Sequence, residues 1–345
     1  MLIYDAGLND LISILGEWGY PAYRANQIWV GLYKNFWNSP DQFSTLPKDL
    51  KEKLAAYFDF EPIKPGLVLN SSDGQTRKIL FSLGDGKQVE AVLMRYDRRR
   101  TLCISTQVGC AMGCTFCATG QMGFTRHLSS GEIVAQVMFY ARQLNENKEA
   151  VTNIVIMGMG EPFHNYSNTM DAVDRLNDPN GYNFGARRIT ISTSGLVPAI
   201  KKFASEKRQI NLAVSLHSSE DITRTNMMPV NKSYPIAELI ETCKAYTDLT
   251  GRRITFEWAL IHEVNDSAEE AYRLAKLLKG MLCHVNAIPL NPTTGYSGKA
   301  TTRERAEIFK SVLEENGIPC TIRIRRGIDI QAGCGQLASH QIITP

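Results

Sequence analysis

The chain has 345 residues, of which 43% are hydrophobic and 21% are charged, and its formal net charge is +3. These values are ordinary for a globular protein, and the length allows one main domain of about 200 to 250 residues with attachments. The chain has no apolar run long enough for a membrane span, and MLIYDAGLND lacks the regions of a secretory signal, so we expect a cytoplasmic protein without membrane association, and by default a monomer.

Residues 1–60 predict a small helical accessory domain. The segments LNDLISILGEW, YRANQIWVGLYK and LPKDLKEKLAAYF each place apolar residues at helical spacing. The aromatic side chains of this region could contact RNA, although packing in a core is their more common role. Residues 61–100 predict a β-rich connector, because TRKILFSLGDGKQVEAVLMRY has the pattern of two strands around a Gly-Asp-Gly turn.

Residues 101–325 predict an α/β core, because short β-branched runs alternate with amphipathic segments. One helix should begin at Ser129, where Glu132 completes the spacing of a capping box. About six such units imply a parallel sheet that curves into a complete or partial barrel, with its active site at the carboxyl ends of the strands. Residues 326–345 form the remaining C-terminal segment. The predicted strands are TLCIST, NIVIM, RITIST, INLAVSL, ITFEWAL, HVNAIP and CTIRI.

The most specific motif is C-x-x-x-C-x-x-C, formed by Cys110, Cys114 and Cys117 directly after the first strand of this core. A four-iron cluster offers four corners, so three thiolates leave one iron free for a ligand that is not protein. Structural zinc sites require four closed ligands, and His127 could complete such a set. A third interpretation is that these cysteines bind no metal. Ligand number and softness favour the iron-sulfur cluster.

Polar residues follow several of the predicted strands. The turn MGMGEP after NIVIM carries Gly160 and Glu161, and further polar residues are Ser192, Ser215, His217 and Asn291 at the ends of three later strands. Each of them alone is more often structural than functional. Their shared position at strand ends favours a ligand site.

Arginine residues occur in three short runs. These are residues 95–100, Arg187 with Arg188, and residues 323–326. Such runs are often solvated surface. Because two of them flank segments with candidate chemistry, they favour a polyanionic substrate.

The strings ISTQVGC, CATGQMGF, IMGMGEP, STSG, SLH and GIDIQAGCGQL closely resemble the RlmN/Cfr family of radical S-adenosylmethionine (SAM) RNA methyltransferases, and the resemblance extends through essentially the whole chain. It implies a radical SAM partial (β/α)6 barrel and one [4Fe-4S] cluster held by the three motif cysteines. It also implies 23S ribosomal RNA (rRNA) as the substrate, an adenosine beside the tRNA anticodon as a further substrate, and a flavodoxin-type electron donor. The implied SAM contacts are Gly160, Glu161, Ser192, Ser215, Leu216, His217 and Asn291.

The same resemblance assigns roles to three further residues. Cys334 accepts a methyl group from one SAM, and a radical generated from a second SAM activates that methyl for addition to C2 of adenine. Cys103 then attacks the Cys334 sulfur, and the resulting disulfide releases the methylated base. Glu90 corresponds to the base that removes the C2 proton. Read from the sequence alone, all three could be structural residues.

Two alternative functions stay open. A Cfr-like enzyme methylates adenine C8 with the same apparatus, but Pro162 in GMGEP resembles the RlmN pattern rather than the alanine typical of Cfr. A zinc-stabilised RNA-binding protein would use the same cysteines and arginines without catalysis. Cys243, Cys283 and Cys320 are interpreted as structural thiols in all of these readings.

Overall fold

The computed structural model describes residues 1–338. Residues 339–345, the last part of the predicted C-terminal segment, lie outside the described residues. The helices are Leu8–Glu17 (α1), Tyr23–Tyr33 (α2), Lys48–Tyr57 (α3), Ala118–Gln121 (α4), Ser130–Glu146 (α5), Tyr166–Asn177 (α6), Val197–Ser205 (α7), Asp221–Met227 (α8), Ile236–Thr250 (α9), Ala268–Leu278 (α10) and Arg303–Glu315 (α11). The strands are Ile63–Asn70 (β1), Thr76–Leu83 (β2), Gln88–Arg95 (β3), Arg100–Cys103 (β4), Gln107–Gly109 (β5), Phe124–His127 (β6), Asn153–Ile156 (β7), Ile189–Thr193 (β8), Asn211–Ser215 (β9), Ile254–Leu260 (β10), Cys283–Pro289 (β11) and Cys320–Ile322 (β12).

Helices α1 to α3 occupy the three predicted N-terminal segments. Trp29 and Tyr33 lie in the core with their rings in contact, so these two aromatic side chains pack rather than face solvent. Tyr23 is exposed beside the Arg24 guanidinium.

One mixed sheet organises the rest of the chain, in the order β1-β2-β3-β4-β7-β8-β9-β10-β11-β12. The strands from β4 to β12 in this order run parallel, which confirms the predicted α/β class. Among the described residues β12 pairs only with β11, so the parallel strands form an open barrel.

Strands β1 to β3 continue this sheet in antiparallel pairing. The sequence predicted two strands here and missed β1, whose residues are mostly exposed and include a proline and a glycine. The domain boundaries at residues 60, 100 and 325 stay a prediction.

Helix α5 begins where its capping residues predict. Ser129 accepts a hydrogen bond from the Glu132 amide and donates its own amide to the Glu132 carboxylate, which is the predicted capping box at the start of α5.

Cys243, Cys283 and Cys320 are buried in the core as predicted. No helix of the described residues is long and apolar enough to cross a membrane.

Candidate active site

Nearly all of the predicted site residues line one cavity, which lies at the carboxyl ends of the parallel strands. Its lining includes Cys103, Cys110, Cys114, Cys117, Gly160, Glu161, Ser192, Ser215, His217, Asn291 and Cys334. Leu216 and Glu90 do not line it. The Leu216 side chain is fully buried in the core, so any role in ligand binding would fall to its backbone.

The three motif cysteines lie on the loop between β5 and α4, and all three side chains are partly exposed. Without a bound metal, burial raises the pKa of Cys110 to about 12 and that of Cys114 well above its usual value. Positive metal centres reverse this preference and deprotonate coordinating thiols. This set of three soft ligands facing one cavity therefore fits a metal cluster.

Two observations concern the zinc alternative. Among residues 1–338 no three His, Cys, Asp or Glu side chains converge on the position of one ion. His127 does not line the cavity, and its Nδ1 lies 3.0 Å from Nε2 of Gln107. A four-iron cluster needs no such convergence, because each thiolate binds a different iron.

Glu161 is a buried carboxylate at the floor of the cavity. It accepts hydrogen bonds from the backbone amides of Ser194 at 2.7 Å and Phe163 at 3.0 Å. Burial raises the pKa of Glu161, and these hydrogen bonds oppose the rise. Across the cavity, Oδ1 of Asn291 is buried without a hydrogen-bond partner among the described residues. The two acceptors fit a ligand that carries amino or hydroxyl groups, as SAM does.

Arg224 binds the backbone at the ends of two strands that line the cavity. No motif in the sequence predicted this role. Its guanidinium is fully buried and donates to the backbone carbonyls of Ser194, Ser215 and Leu216 at 2.7, 3.1 and 3.0 Å. Burial lowers the pKa of Arg224 to about 10. Because one rigid group joins β8 to β9, it holds both strand ends in a fixed relation.

His217 is held in a neutral form. Its Nδ1 accepts a hydrogen bond from the Ala259 amide at 2.9 Å, which leaves the proton on Nε2. Burial lowers the pKa of His217 to about 3. The residue has a φ of +59°, so the backbone here is in the left-handed region that nonglycine residues rarely adopt.

Cys103 and Cys334 meet in this cavity from opposite ends of the core. Cys103 is the last residue of β4, and burial raises its pKa to about 12, with a further contribution from charge on Cys334. Cys334 has an accessible side chain that faces the cavity, where the surrounding protein raises its pKa to about 11.

A buried carboxylate and a partly buried guanidinium group, neither of them assigned to the site from the sequence, line the cavity together with Cys334. Glu257 on β10 and Arg323 after β12 both line the cavity. The Glu257 charge raises the pKa of Cys334, and the Arg323 charge opposes this rise. Arg323 belongs to a predicted basic run, but no motif in the sequence indicated that Glu257 would line the same cavity.

The arginine runs before β4 and after β12 converge at the mouth of the cavity. The Arg99 and Arg326 guanidinium groups lie 4.9 and 4.4 Å from the Tyr96 ring centroid. The third run does not join them, because Arg187 and Arg188 precede the amino end of β8. Arg99 and the arginines of residues 323–326 thus place positive charge on one side of the cavity, which we name the basic rim and which suits a polyanion.

Comparisons with known proteins agree with this geometry. The sequence model of the radical SAM superfamily matches residues 104–275. A dual-specificity RNA methyltransferase, RlmN 1, of Myxococcus xanthus is 47% identical over 335 residues, covering 97% of this chain and 93% of the relative. A probable dual-specificity RNA methyltransferase RlmN of Chloroflexus aurantiacus is 46% identical over 352 residues, covering 99% and 93%. The crystal structure of a radical SAM methyltransferase from Sphaerobacter thermophilus superposes with a TM-score of 0.96 at 50% identity, covering 99% of this chain and all of that one.

Proposed function

Because the chain belongs to the RlmN family of radical SAM RNA methyltransferases, we propose that it methylates C2 of one adenosine in 23S rRNA. We extend the proposal to an adenosine beside the anticodon of tRNA, since the names of both curated relatives include dual specificity. The observation that carries methyl transfer through a protein thiol is that Cys103 and Cys334 line the same cavity as the three motif cysteines; the choice of C2 is supported by the RlmN names of the curated relatives.

The chemistry of adenine C2 explains why two further cysteines are needed. This carbon is electron-poor and has no lone pair that could attack a methyl donor, so a polar transfer is unfavourable. A [4Fe-4S] cluster on Cys110, Cys114 and Cys117 supplies, when bound, the electron that starts radical chemistry on SAM. Glu161 and Asn291 offer acceptors for SAM in the same cavity.

Cys334 carries the methyl group in this proposal, so each turnover uses one SAM to methylate the thiol and a second SAM to activate the methyl. After carbon transfer, the Cys334 sulfur is still bonded to the carbon that is joined to adenine. The Cys103 thiolate attacks this sulfur and forms a sulfur-sulfur bond, while the electron pair of the breaking carbon-sulfur bond passes to the methylene carbon, which takes up a proton and becomes the methyl group of the released base. A thiol reductant must then reduce the disulfide before the next turnover. The shared cavity provides the proximity that this attack needs.

Glu90 is the proposed proton acceptor for C2. Burial raises the pKa of its carboxyl group, which moves it toward the range suited to a general base at neutral pH. Glu90 lines a neighbouring cavity.

Anaerobic assay of the protein tests the proposal. The protein, reconstituted with iron and sulfide, is incubated with SAM and with 23S rRNA fragments or tRNA. Flavodoxin with its reductase supplies electrons, and a parallel reaction uses dithionite. Mass spectrometry beside C2-methyl and C8-methyl adenosine standards identifies the product. We expect 2-methyladenosine in both RNAs; 8-methyladenosine would assign the Cfr reaction, and unmodified RNA from a protein that holds zinc would overturn the proposal.

A further inference from the structure

The segment that carries Cys334 forms a wall between two cavities. We name residues 331–338 the Cys334 segment. Cys334, Gly335 and Leu337 line the active-site cavity, whereas Gln331, Gln336 and Ala338 line a second one together with Glu90 and Lys78. Glu90 is therefore separated from the reaction site by the segment that must deliver the methyl group.

A buried ion pair holds this wall at both ends. Nζ of Lys78 lies 2.9 Å from Oε1 of Glu90, and both side chains are almost completely buried. The same Nζ donates to the carbonyl of Gln331 at 3.1 Å. The amide of Ala338 donates to Oε2 of Glu90 at 2.9 Å. The two partners of one ion pair thus bind the first and last residues of the Cys334 segment.

The strand register places this pair next to the catalytic cysteines. Leu80 pairs with Glu90 and Lys78 pairs with Val92, so Lys78 and Glu90 are diagonal neighbours on one face of β2 and β3. Val92 in turn pairs with Cys103 on β4. Ser105 fixes the backbone at Glu90 by donating its hydroxyl to the Glu90 carbonyl at 2.6 Å.

Resting on the proposed function, we propose that Lys78 is a positioning residue for methyl transfer, and that the Lys78–Glu90 pair is a clasp that keeps the Cys334 segment closed. While the segment is closed, both Glu90 oxygens accept hydrogen bonds, and the wall separates the carboxylate from the substrate. Opening the segment releases Oε2 from the Ala338 amide, so the base becomes available when the methyl-bearing cysteine moves. Lys78 remains on Glu90 and keeps it ionised for proton acceptance.

Hydrogen exchange of the anaerobic holoenzyme tests the clasp without requiring any RNA product. In Lys78→Met, amide exchange of peptides covering residues 331–338 should accelerate at least about tenfold, because two contacts to the charged amine are lost. Exchange in β9 should not change. Lys87→Met, which removes an exposed lysine from the turn before β3, is the matched control.

A second variant covers the case in which Lys78→Met fails to fold, since it leaves Glu90 buried without its cation. Ala338→Pro removes the amide hydrogen that binds Glu90 and also restricts the backbone at residues 337 and 338, whereas Ala338→Gly retains that amide at the same position. We expect accelerated exchange of the segment in the proline variant and a much smaller change in the glycine variant.

Single-turnover methylation of RNA by the same proteins completes the test. Faster segment exchange with an unchanged core in both variants, together with at least about tenfold slower methyl transfer in Lys78→Met, supports the clasp. Unchanged segment exchange in both Lys78→Met and Ala338→Pro overturns it, and so does faster exchange with normal methyl transfer in Lys78→Met. If the unmodified protein methylates no RNA, the proposed function fails, while the exchange data still decide whether the pair closes the segment.

Discussion

Cys103 lies close enough to Cys334 in the active-site cavity that negative charge on the Cys334 sulfur raises the pKa of the Cys103 thiol. The chain brings them together by ending β4 at Cys103 and returning to the same cavity after β12. This relationship distinguishes the site from a radical SAM centre that only generates a radical.

Substitution of the two cysteines should have different consequences. Cys334→Ala should abolish methyl transfer, because no thiol remains to carry the methyl group. Cys103→Ala should allow carbon transfer but block release, so a covalent protein-RNA adduct should accumulate. Denaturing gels with labelled RNA and intact-protein mass spectrometry measure both outcomes.

Cys283→Ala provides the control for these variants. Cys283 is buried at the start of β11 and does not line the cavity, so its substitution should preserve product formation. Normal turnover by Cys334→Ala, or by Cys103→Ala without an adduct, would contradict the assigned roles.

Two glycines near the cysteine motif have similar backbone conformations but different surroundings. Gly109 and Gly123 have φ values of +73° and +75°. A Cβ on Gly109 would lie 1.9 Å from the Gly123 carbonyl oxygen, whereas a Cβ on Gly123 meets no described atom within 4 Å. Each alanine substitution costs about 1 to 2 kcal/mol of backbone strain, and only Gly109→Ala adds a clash.

We therefore expect Gly109→Ala to displace the loop that presents Cys110 and to reduce the iron bound per protein after reconstitution. Gly123→Ala should retain its iron and lose only a little stability. Iron and sulfide analysis with thermal unfolding measures these effects. Equal iron content in the two variants would show that the close approach at Gly109 does not position the motif.

The basic rim predicts how RNA binding responds to salt. If Arg326 contacts one phosphate, Arg326→Ala should weaken binding to every RNA tested and reduce the slope of log K against log salt by about one. Arg187→Ala removes an arginine at the opposite edge of the sheet and should leave this slope unchanged. Fluorescence anisotropy over a salt series provides the measurement. If the slope changed in Arg187→Ala and not in Arg326→Ala, the prediction would be wrong, and RNA would bind at the opposite edge of the sheet.

The sequence predicted those parts of the site that local pattern determines. Cys110, Cys114 and Cys117 lie within a few residues of one another, and Glu161 follows a recognisable strand and turn. Because parallel strands present their carboxyl ends at one edge, such residues could be assigned to one site before the structure was known. Cys334 and Cys103 needed the family resemblance, since an isolated cysteine is usually a core thiol.

The buried charges could not be predicted in this way. Arg224, Glu257 and Lys78 have no motif, and in sequence they resemble charged residues on a surface. Their burial depends on partners from other strands, such as Asn286, whose Nδ2 lies 3.2 Å from both Glu257 oxygens. The pairing of strands that are distant in sequence determines which charged side chains face inward. The local sequence around each residue carries no information about this pairing.

Glu257 and Arg323 should shift the ionisation of Cys334 in opposite directions. In the unmodified protein the pKa of Cys334 is raised to about 11, by desolvation among the protein groups that surround the cavity first and by the Glu257 charge second, while Arg323 opposes the rise. At neutral pH the thiol is therefore almost entirely protonated, and its alkylation rate should increase as the pH rises toward 11. Glu257→Gln removes the nearby negative charge and should move this curve to lower pH. Arg323→Gln removes the positive charge and should move it to higher pH.

The measurement is the rate of iodoacetamide reaction at Cys334 across pH 7 to about 10, followed by peptide mass spectrometry on protein whose Cys334 carries no methyl group. Opposite displacement of the two curves is the expected result, because the two charges act on one thiol with opposite sign. A double variant should lie between them and close to the unmodified protein, since both charges are then absent. Displacement of both single variants in the same direction would mean that altered access to Cys334, rather than charge, controls its reactivity.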